Sequence, residues 1–232
     1  MVLKAKRIKF NIVEVTPGVG QINIFKLSGQ RKLPILIDGN KVISDSSEIV
    51  KYLEPISVES KLFPDNHKEA IQAHIIEDWA DTTLAKACRL ALIKSAAIDP
   101  ELRGALLPDE YPTNIRQVIE GIPCGFFNDL TDFVTKGEGV ALIENLIQLS
   151  KFVEQNQWLV GNNMTIADIS VAAQLSLLKF PYSSGPIIAG RGCKGISDNP
   201  QLSPLFKWRD HLDKKLIASD EVTLQSENSS EI

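Results

Sequence analysis

Short runs of apolar and polar positions dominate the first 54 residues. Residues 8–15 alternate apolar and polar side chains, which is the pattern of a strand. A Pro-Gly pair at 17–18 breaks the pattern, and residues 20–28 are weakly helical at best. A second apolar run over 33–37 is typical of a buried strand.

A turn and a helix start follow the second apolar run. The sequence Asp-Gly-Asn at 38–40 predicts a turn, and residues 42–43 predict a second short strand, so the region forms a hairpin. Asp45 can then cap a helix, with Glu48 completing a capping box three residues later. The buried stripe of this helix is predicted to be Ile49, Val50 and Leu53.

The chain is helical in pattern from about residue 66. Apolar spacing predicts helices over 67–95, 140–155, 166–180 and 202–216. The 166–180 helix is apolar on almost every face, which predicts a central buried helix. Residues 99–137 contain several prolines and predict short helical pieces joined by loops. The 67–95 helix carries apolar residues near a helical period: Ile71, Ile75, Ile76, Trp79, Leu84 and Cys88.

Composition and charge exclude several classes of protein. The chain has 232 residues, 44% hydrophobic and 23% charged, which excludes disorder for its bulk and fits one large domain or two small ones. A net charge of -4 argues against nucleic acid or an anionic membrane as the main partner. We expect domains at 1–56 and 66–218, followed by a polar, disordered tail at 219–232.

Cysteine and histidine usage argues against disulfide and metal chemistry. Cys88, Cys124 and Cys193 are few and far apart, which indicates a reducing compartment. Their spacing fits no zinc site, so no metal is expected. The sequence has no apolar run of membrane length and no signal peptide pattern, and we expect a cytoplasmic protein. Three arginines, Arg89, Arg103 and Arg191, are expected to be solvated or ion-paired.

Residues 32–53 carry the most specific pattern in the chain. An apolar residue precedes Pro34, a hairpin with Asp38-Gly39 follows, and Asp45-Ser46 stands at a helix start. This segment resembles the glutathione-binding half of the glutathione transferase family. That family combines a thioredoxin-like N-terminal domain with an all-helical C-terminal domain. The resemblance therefore implies an α+β fold, mostly α, with both domains in that order.

The resemblance also implies a binding site for glutathione. A cis bond before Pro34 would turn the backbone of Leu33 outward to pair with an extended peptide, which the resemblance identifies as the cysteinyl part of glutathione. Ser46 would face the γ-glutamyl carboxylate at the helix N-terminus, Asp45 the γ-glutamyl amine, and Lys32 the glycyl carboxylate. Taken singly, Pro34 could simply begin a strand and Asp45-Ser46 could be an ordinary helix cap.

A second, independent match lies in the helical region. Residues 158–169 resemble the family's signature there, with Thr165 as the N-cap of the buried helix and Asp168 at the third helical position. These two residues predict a capping box, and Met164 with Ile169 predicts a hydrophobic staple. We expect this motif to serve folding, and we assign it no catalytic role.

The resemblance places a strand and a catalytic loop before the first residues of this sequence. In the family that loop carries the Tyr, Ser or Cys that holds the glutathione sulfur as thiolate. Here residues 1–10 align with the end of the first helix and the start of the second strand, so roughly fifteen to twenty residues are missing. No Tyr or Cys precedes Tyr52, and the first serine is Ser28. We expect that the natural product starts upstream, the alternative being a truncated protein.

Two functions follow from the resemblance. The first is a glutathione transferase, in the family commonly a dimer, that conjugates glutathione to small electrophiles as in detoxification or uses it as a thiol reductant. Its electrophile would lie against the 67–95 helix, near Trp79 and Thr83. The second is a non-catalytic module that binds a ligand or assembles with a partner, to which residues 97–138 could offer a surface.

Overall fold

Two units make up the chain in the computed structural model. One unit contains residues 1–62 together with 219–232, and the other contains residues 63–218. The break after Leu62 lies between the two predicted domains. Most of the described residues are helical and one small sheet is present, as the predicted fold class requires. The residues that the structure describes are 1–13, 15, 19–30, 32–57, 60–107, 113–121 and 136–228.

A β-hairpin lies at the middle of the first unit. Its antiparallel strands pair Ile35 with Ser44 and Asp38 with Lys41, so two residues form the turn between them. Gly39 has φ of 56°, a left-handed conformation that glycine adopts without a Cβ clash. The predicted hairpin is therefore confirmed. The elements of this unit are α1 (Val2–Ala5), α2 (Val19–Ser28), β1 (Ile35–Asp38), β2 (Lys41–Ser44) and α3 (Ser46–Leu53).

The predicted strand over residues 8–15 is wrong within the part that the structure describes. Residues 8–13 and 15 belong to no strand, and the side chains of Ile12 and Val13 are 75% and 82% exposed. Alternation of apolar and polar residues gives a strand one apolar face. A strand also needs a neighbouring strand that pairs with its backbone N–H and C=O groups. The described sheet contains β1 and β2 alone, which pair with each other. Residues 19–28 are more helical than predicted, because α2 packs on β2 and buries Ile24.

A buried lysine holds α1 to the end of α3. The Lys6 ammonium donates to the carbonyl oxygens of Glu54 at 2.9 Å and Ser57 at 3.1 Å, and it lies 2.8 Å from Glu54 Oε2. The other carboxylate oxygen of Glu54 accepts from the backbone N–H of Leu62 at 2.9 Å. Burial of an ammonium is tolerated when its donors find such acceptors. Lys6 therefore ties the first residues to the C-terminal end of α3.

One helix lies at the centre of the second unit. This helix, α9 (Ile166–Leu178), contacts α4 (His67–Trp79), α5 (Ala85–Ile98) and the π-helical segment between those two helices. Nine of its thirteen residues are buried, which confirms the central helix that the apolar pattern predicted. The elements of the unit are α4 (His67–Trp79), a π-helical segment (Ala80–Leu84), α5 (Ala85–Ile98), α6 (Pro100–Ala105), α7 (Thr113–Glu120), α8 (Lys136–Gln155), α9 (Ile166–Leu178) and the start of α10 (Ser203–Asn228).

The N-terminus of α9 is satisfied by a buried carboxylate. Asp168 accepts hydrogen bonds from the backbone N–H of Leu159 at 2.8 Å and of Thr165 at 2.7 Å, and from the Thr165 hydroxyl at 3.0 Å. The Thr165 side chain in turn accepts from the Asp168 N–H, so the predicted capping box is confirmed. Burial raises the pKa of the Asp168 carboxyl, although its hydrogen bonds act in the opposite direction.

The buried face of α4 differs from the predicted one. Ile71 and Ile75 are 47% and 61% exposed, whereas Ala73 and Glu77 are buried. The sequence pattern marked the larger apolar side chains as core. The helix packs on α9 and buries one small side chain, Ala73, and one carboxylate, Glu77, whose Oε2 lies 3.0 Å from His74 Nδ1. A small side chain allows closer approach of two helices.

Arg103 is buried, which corrects the prediction where it makes this side chain solvated. Its guanidinium donates to the carbonyl oxygens of Ala96 and Ala97 at the end of α5, both at 2.9 Å. It also donates to those of Ile119 at 2.9 Å and Glu120 at 2.7 Å at the end of α7. Helix C-termini leave carbonyl groups without intrahelical partners and carry a negative partial charge. One cation thus satisfies two helix ends and holds α7 against α5.

The last helix is longer than predicted. Its predicted buried residues, Leu205, Phe206, Leu212 and Leu216, are confirmed. The helix extends from Ser203 to Asn228, beyond its predicted end at residue 216. Helical hydrogen bonds propagate at low cost once a packed segment has nucleated the helix, and this allows a polar sequence to continue it.

Replacing Arg103 tests its role at two helix ends. We expect Arg103→Lys to lower the free energy of unfolding by at least about 2 kcal/mol, because one ammonium cannot reach carbonyl groups on both α5 and α7. Urea unfolding followed by circular dichroism measures this. Arg89→Lys is the control, since Arg89 is an exposed residue of α5 and should change by less than about 0.5 kcal/mol. Equal losses for the two variants would contradict the assignment.

Replacing Asp168 tests the buried cap. Asn has the shape of Asp, but its amide NH₂ would face the N–H groups of either Leu159 or Thr165. We expect Asp168→Asn to cost about 2–4 kcal/mol in urea unfolding, from one lost acceptor and one unpaired buried donor. Asp45→Asn, at the exposed N-cap of α3, should cost less than about 0.5 kcal/mol because Asn caps equally well. A tolerated Asp168→Asn would show that the acceptor is dispensable.

Candidate functional site

The start of α3 carries an unusual backbone conformation at Asp45. This residue has φ of 97° and ψ of 129°, a left-handed φ that costs a non-glycine residue about 1–3 kcal/mol. Its Oδ1 accepts hydrogen bonds from the N–H groups of Ser47 at 3.0 Å and Glu48 at 3.4 Å. The second half of the predicted capping box is wrong, because the Glu48 carboxylate binds Lys51 at 2.8 Å instead.

The second oxygen of Asp45 points to a role beyond the cap. Within the part of the chain that the structure describes, Oδ2 accepts no hydrogen bond, and the residue is exposed. A carboxylate that caps a helix with one oxygen can accept from a cationic ligand with the other. Strained backbone at an exposed polar residue is common at ligand sites.

The segment before β1 has the cis bond that the resemblance implies. The Leu33–Pro34 peptide is cis, and Leu33 is 59% exposed. Neither backbone group of Leu33 is hydrogen-bonded to another described residue. Lys32 is exposed as well. The free N–H and C=O groups of Leu33 can therefore form hydrogen bonds with an extended peptide, which would bind as an added strand.

The hairpin register brings the two halves of the candidate site together. Ile35 pairs with Ser44, so Pro34 and Asp45, one residue further out on each strand, lie at the same end of the hairpin. Ser46 begins α3 directly after Asp45. All five predicted binding residues therefore belong to one unit and flank one hairpin end: Lys32, Leu33, Pro34, Asp45 and Ser46.

Two hydroxyl groups in the first unit, those of Ser28 and Tyr52, are already engaged. Ser28 donates to the carbonyl oxygens of Ile24 at 2.9 Å and Gln30 at 3.2 Å. The Tyr52 hydroxyl donates to Asp38 Oδ2 at 2.7 Å, and this hydrogen bond raises the pKa of Tyr52. A raised pKa makes the phenol a poorer source of phenolate. Neither residue is suited to hold a thiolate, and we assign no catalytic residue among the described ones.

The two described cysteines are core residues. Cys88 and Cys193 are free thiols, fully buried in the second unit. Burial raises the pKa of Cys88 to about 12, and burial also raises the pKa of Cys193. The prediction that Cys88 is a small core residue is confirmed. Cys124 lies outside the described residues, as does much of the 97–138 region.

A cavity of about 430 Å³ opens in the second unit between the π-helical segment and α8. The predicted electrophile contacts Trp79 and Thr83 both line it, together with Thr82 and, from α8, Leu142 and Asn145. The volume lies within the range of roughly 300–1,000 Å³ that is usual for small-molecule sites. Apolar walls with a few hydrogen-bonding groups are typical of such sites.

A second cavity of about 680 Å³ is lined by charged residues that pair with one another. Arg191 lies 3.0 Å from Glu101, and Lys194 lies 3.3 Å from Asp99, so loop 191–198 is joined to the start of α6. Of the two predicted states of Arg191, solvated or ion-paired, the structure confirms the ion pair. The charged side chains in these two pairs therefore have a structural role, which is to join the loop to α6.

The described residues contain neither a candidate metal cluster nor a candidate membrane span. None of the groups of His, Cys, Asp and Glu side chains there could hold a metal ion. No helix in the same ranges is long and apolar enough to cross a membrane.

The first unit corresponds to a known domain. Residues 1–61 match the family model described as "Glutathione S-transferase, N-terminal domain". A curated relative, "Glutathione S-transferase TCHQD" of Arabidopsis thaliana, is 26% identical over 206 residues, covering 77% of this chain and 72% of the relative.

Solved structures share the fold of the chain. The β-etherase LigF from Sphingobium sp. strain SYK-6 has a TM-score of 0.61 at 20% identity, covering 97% of this chain and 92% of its own. The theta class glutathione S-transferase from Xanthomonas axonopodis pv. citri, solved with glutathione bound, has a TM-score of 0.56 at 18% identity, covering 91% and 83%. A cis proline before a hairpin, a capped helix after it and a following helical unit define a glutathione-transferase-like protein. Residues 1–61 thus match the N-terminal domain of the glutathione transferase family, and the chain shares the fold of solved glutathione transferases.

Thiol accessibility tests the assignment of the cysteines. In a Cys124→Ser variant we expect native protein at pH 8 to react with a chromogenic disulfide reagent at none of its thiols within minutes, because burial excludes the reagent and about one Cys88 thiol in 10⁴ is ionised. Both thiols should react at once in guanidinium chloride. A rapidly reacting thiol in the native variant would restore a cysteine as a candidate nucleophile.

Proposed function

We propose that this chain binds glutathione in its first unit and acts as a glutathione transferase. The observation that carries the proposal is Asp45, which is held at a strained φ with one carboxylate oxygen on the helix cap and the other exposed. The γ-glutamyl amine of glutathione is a cation of the right kind for that oxygen. Its carboxylate would bind at the N-terminus of α3 beside Ser46, where backbone N–H groups favour an anion.

The remaining parts of glutathione would extend along the backbone before β1. The cysteinyl N–H and C=O would pair with the backbone groups of Leu33, leading into the strand after Pro34. The exposed ammonium of Lys32 would attract the glycyl carboxylate. Glutathione is then a co-substrate, and no metal takes part in its binding.

The second substrate would be a small electrophile in the cavity beside Trp79 and Thr83. Either transfer of the thiol to that electrophile or its reduction by glutathione fits the family. The helical unit, residues 66–218 of the sequence prediction, would then serve as the electrophile domain. We expect a cytoplasmic protein, since its two described cysteines are free, and a homodimer, the assembly common in the family.

A non-catalytic module is the second candidate. The engaged hydroxyl groups of Ser28 and Tyr52 favour it, because neither of them is suited to activate the sulfur. Such a module would bind glutathione, or a related ligand, without turnover. Retention on glutathione resin with turnover supports the transferase, and retention without turnover supports the module.

The Asp45→Asn variant tests the glutathione site. We expect this variant to weaken glutathione binding about tenfold or more in isothermal titration calorimetry, because the charge that faces the ligand amine is lost while the helix cap is kept. Glu48→Gln is the matched control: it removes one charge from the same helix and breaks only the exposed pair with Lys51. It should leave the affinity within about twofold.

Three outcomes of this titration are informative. Weaker binding in Asp45→Asn alone supports the site. Equal weakening in both variants would point to a general charge effect and contradict the assignment of Asp45. Absence of glutathione binding by the unmodified protein would contradict the proposed function itself.

A further inference from the structure

The outer edge of β1 is a strand edge without a neighbour in the described part of the chain. β1 pairs with β2 on one side, and no described strand pairs with its other side. A two-residue turn closes on a hydrogen-bonded pair, here Asp38 and Lys41, and the alternation of antiparallel pairs directs Leu36 toward β2 as well. The N–H and C=O groups of Ile35 and Ile37 therefore point away from β2. Such an edge can accept a further strand.

One face of the hairpin is apolar beside this edge. Ile35, Ile37 and Val42 share that face, because strand residues alternate between faces and Val42 lies opposite Ile37. Ile37 is 55% exposed and Val42 is exposed as well, whereas Ile35 is half-buried. β-branched side chains stabilise a sheet as cross-strand neighbours. A further strand at this edge would therefore cover apolar surface and pair the outward backbone groups at the same time.

We propose that the outer edge of β1 pairs with the same edge of a second copy of this chain, antiparallel and about a two-fold axis at Leu36. In this register Ile35 lies opposite the partner's Ile37, and Ile37 lies opposite the partner's Ile35. Each such pair exchanges hydrogen bonds in both directions, so the outward N–H and C=O groups of both residues are satisfied in both copies. The contact uses one surface twice, as two-fold homodimers do.

The charges at the two ends of the edge favour a second copy as the partner. Lys32 precedes β1 and Asp38 ends it, and both residues are exposed. Pairing about Leu36 makes each Asp38 a diagonal neighbour of the partner's Lys32, a spacing that a long side chain can span. Opposite charges therefore meet at both ends of the interface. The corresponding edge of β2 would pair Val42 with the partner's Ser44, which is a weaker cross-strand pair than two isoleucines.

This register also affects the proposed glutathione site. It sets the partner's Gly39, in the hairpin turn, opposite Leu33, and it pairs Lys32 with the partner's Asp38. The proposed function assigns Lys32 and Leu33 to the peptide part of glutathione. Glutathione and the second copy would therefore compete, and glutathione should dissociate the pair. This consequence rests on the proposed function, whereas the pairing of β1 itself does not.

Sedimentation equilibrium of the full chain tests the pairing. A strand of four residues gives a small interface, so we expect reversible association with a dissociation constant on the order of 100 μM. Ile37→Lys should weaken association about tenfold or more, because it sets two ammonium groups diagonally across the axis. Ile56→Lys is the matched control: it adds the same charge at an exposed isoleucine of the same unit and should stay within about twofold. A protein that is monomeric at about 500 μM, or equal constants for the two variants, would overturn the proposal.

Engineered cysteines test the register in a Cys124→Ser background. Leu36 lies on the axis, where opposed residues of a non-hydrogen-bonded pair have Cα atoms about 4.5 Å apart, close enough for a disulfide. Ile43 lies opposite Leu36 on β2, is half-buried like it, and is one strand further from the axis. Oxidation by dissolved oxygen with copper phenanthroline should convert Leu36→Cys to a covalent dimer and leave Ile43→Cys largely monomeric. Equal yields would contradict the register.

Glutathione separates failure of this proposal from failure of the proposed function. Saturating glutathione should lower the average molar mass in the sedimentation experiment toward that of the monomer. Asp45→Asn should need about tenfold more glutathione for the same effect, because its glutathione site is weaker. Glutathione that binds without changing the association would overturn the register about Leu36. Failure of glutathione to bind at all would contradict the proposed function alone, and the cross-link at Leu36 would still decide the pairing.

Discussion

The buried carboxylate of Asp168 is the interaction on which the helical unit depends. A helix that lies at the centre of a unit must satisfy its first N–H groups away from water, where an unpaired donor costs about 1–3 kcal/mol. Asp168 does so for the N-cap and also accepts from Leu159, nine residues earlier, so one side chain fixes both the helix and the segment that leads into it. The contacts of α9 with α4, α5 and the π-helical segment all require that fixed start.

At the C-terminal ends of helices, buried cations donate hydrogen bonds to the free carbonyl oxygens. Lys6 donates to carbonyl oxygens at the end of α3, and Arg103 donates to those of α5 and α7. Arg209 on α10 donates to the carbonyl oxygen of Lys179, directly after α9, and burial lowers its pKa. Each cation reaches carbonyl groups that lack intrahelical partners and favours the negative end of the helix dipole. The fold thus uses long side chains where many helices would use a glycine turn.

The candidate site and the cavity arise in physically different ways. At the hairpin, Pro34 and Asp45 come together through one antiparallel register, so the geometry needs only the 22 residues of 32–53. In the cavity, Trp79 and Thr83 meet Asn145 of α8 only because α5 and α8 pack together. The widened turn at Ala80–Leu84 then decides which side chains face the cavity. A local site tolerates change elsewhere in the chain, whereas the cavity depends on helix packing.

The sequence by itself determined the features whose partners lie close along the chain. The hairpin, the cap at Asp45, the capping box at Thr165 and Asp168, and the buried face of α10 all follow from short spacings, because the interacting groups are separated by a few residues. Tertiary structure decided the rest. Alternation over residues 8–15 could not reveal whether a neighbouring strand pairs with that segment. The apolar pattern of α4 could not reveal that Ala73 and Glu77 are buried while Ile71 and Ile75 are exposed. An arginine is usually a surface residue. Arg103 is buried because two helix ends meet at its guanidinium, where carbonyl groups 6–17 residues away accept its hydrogen bonds.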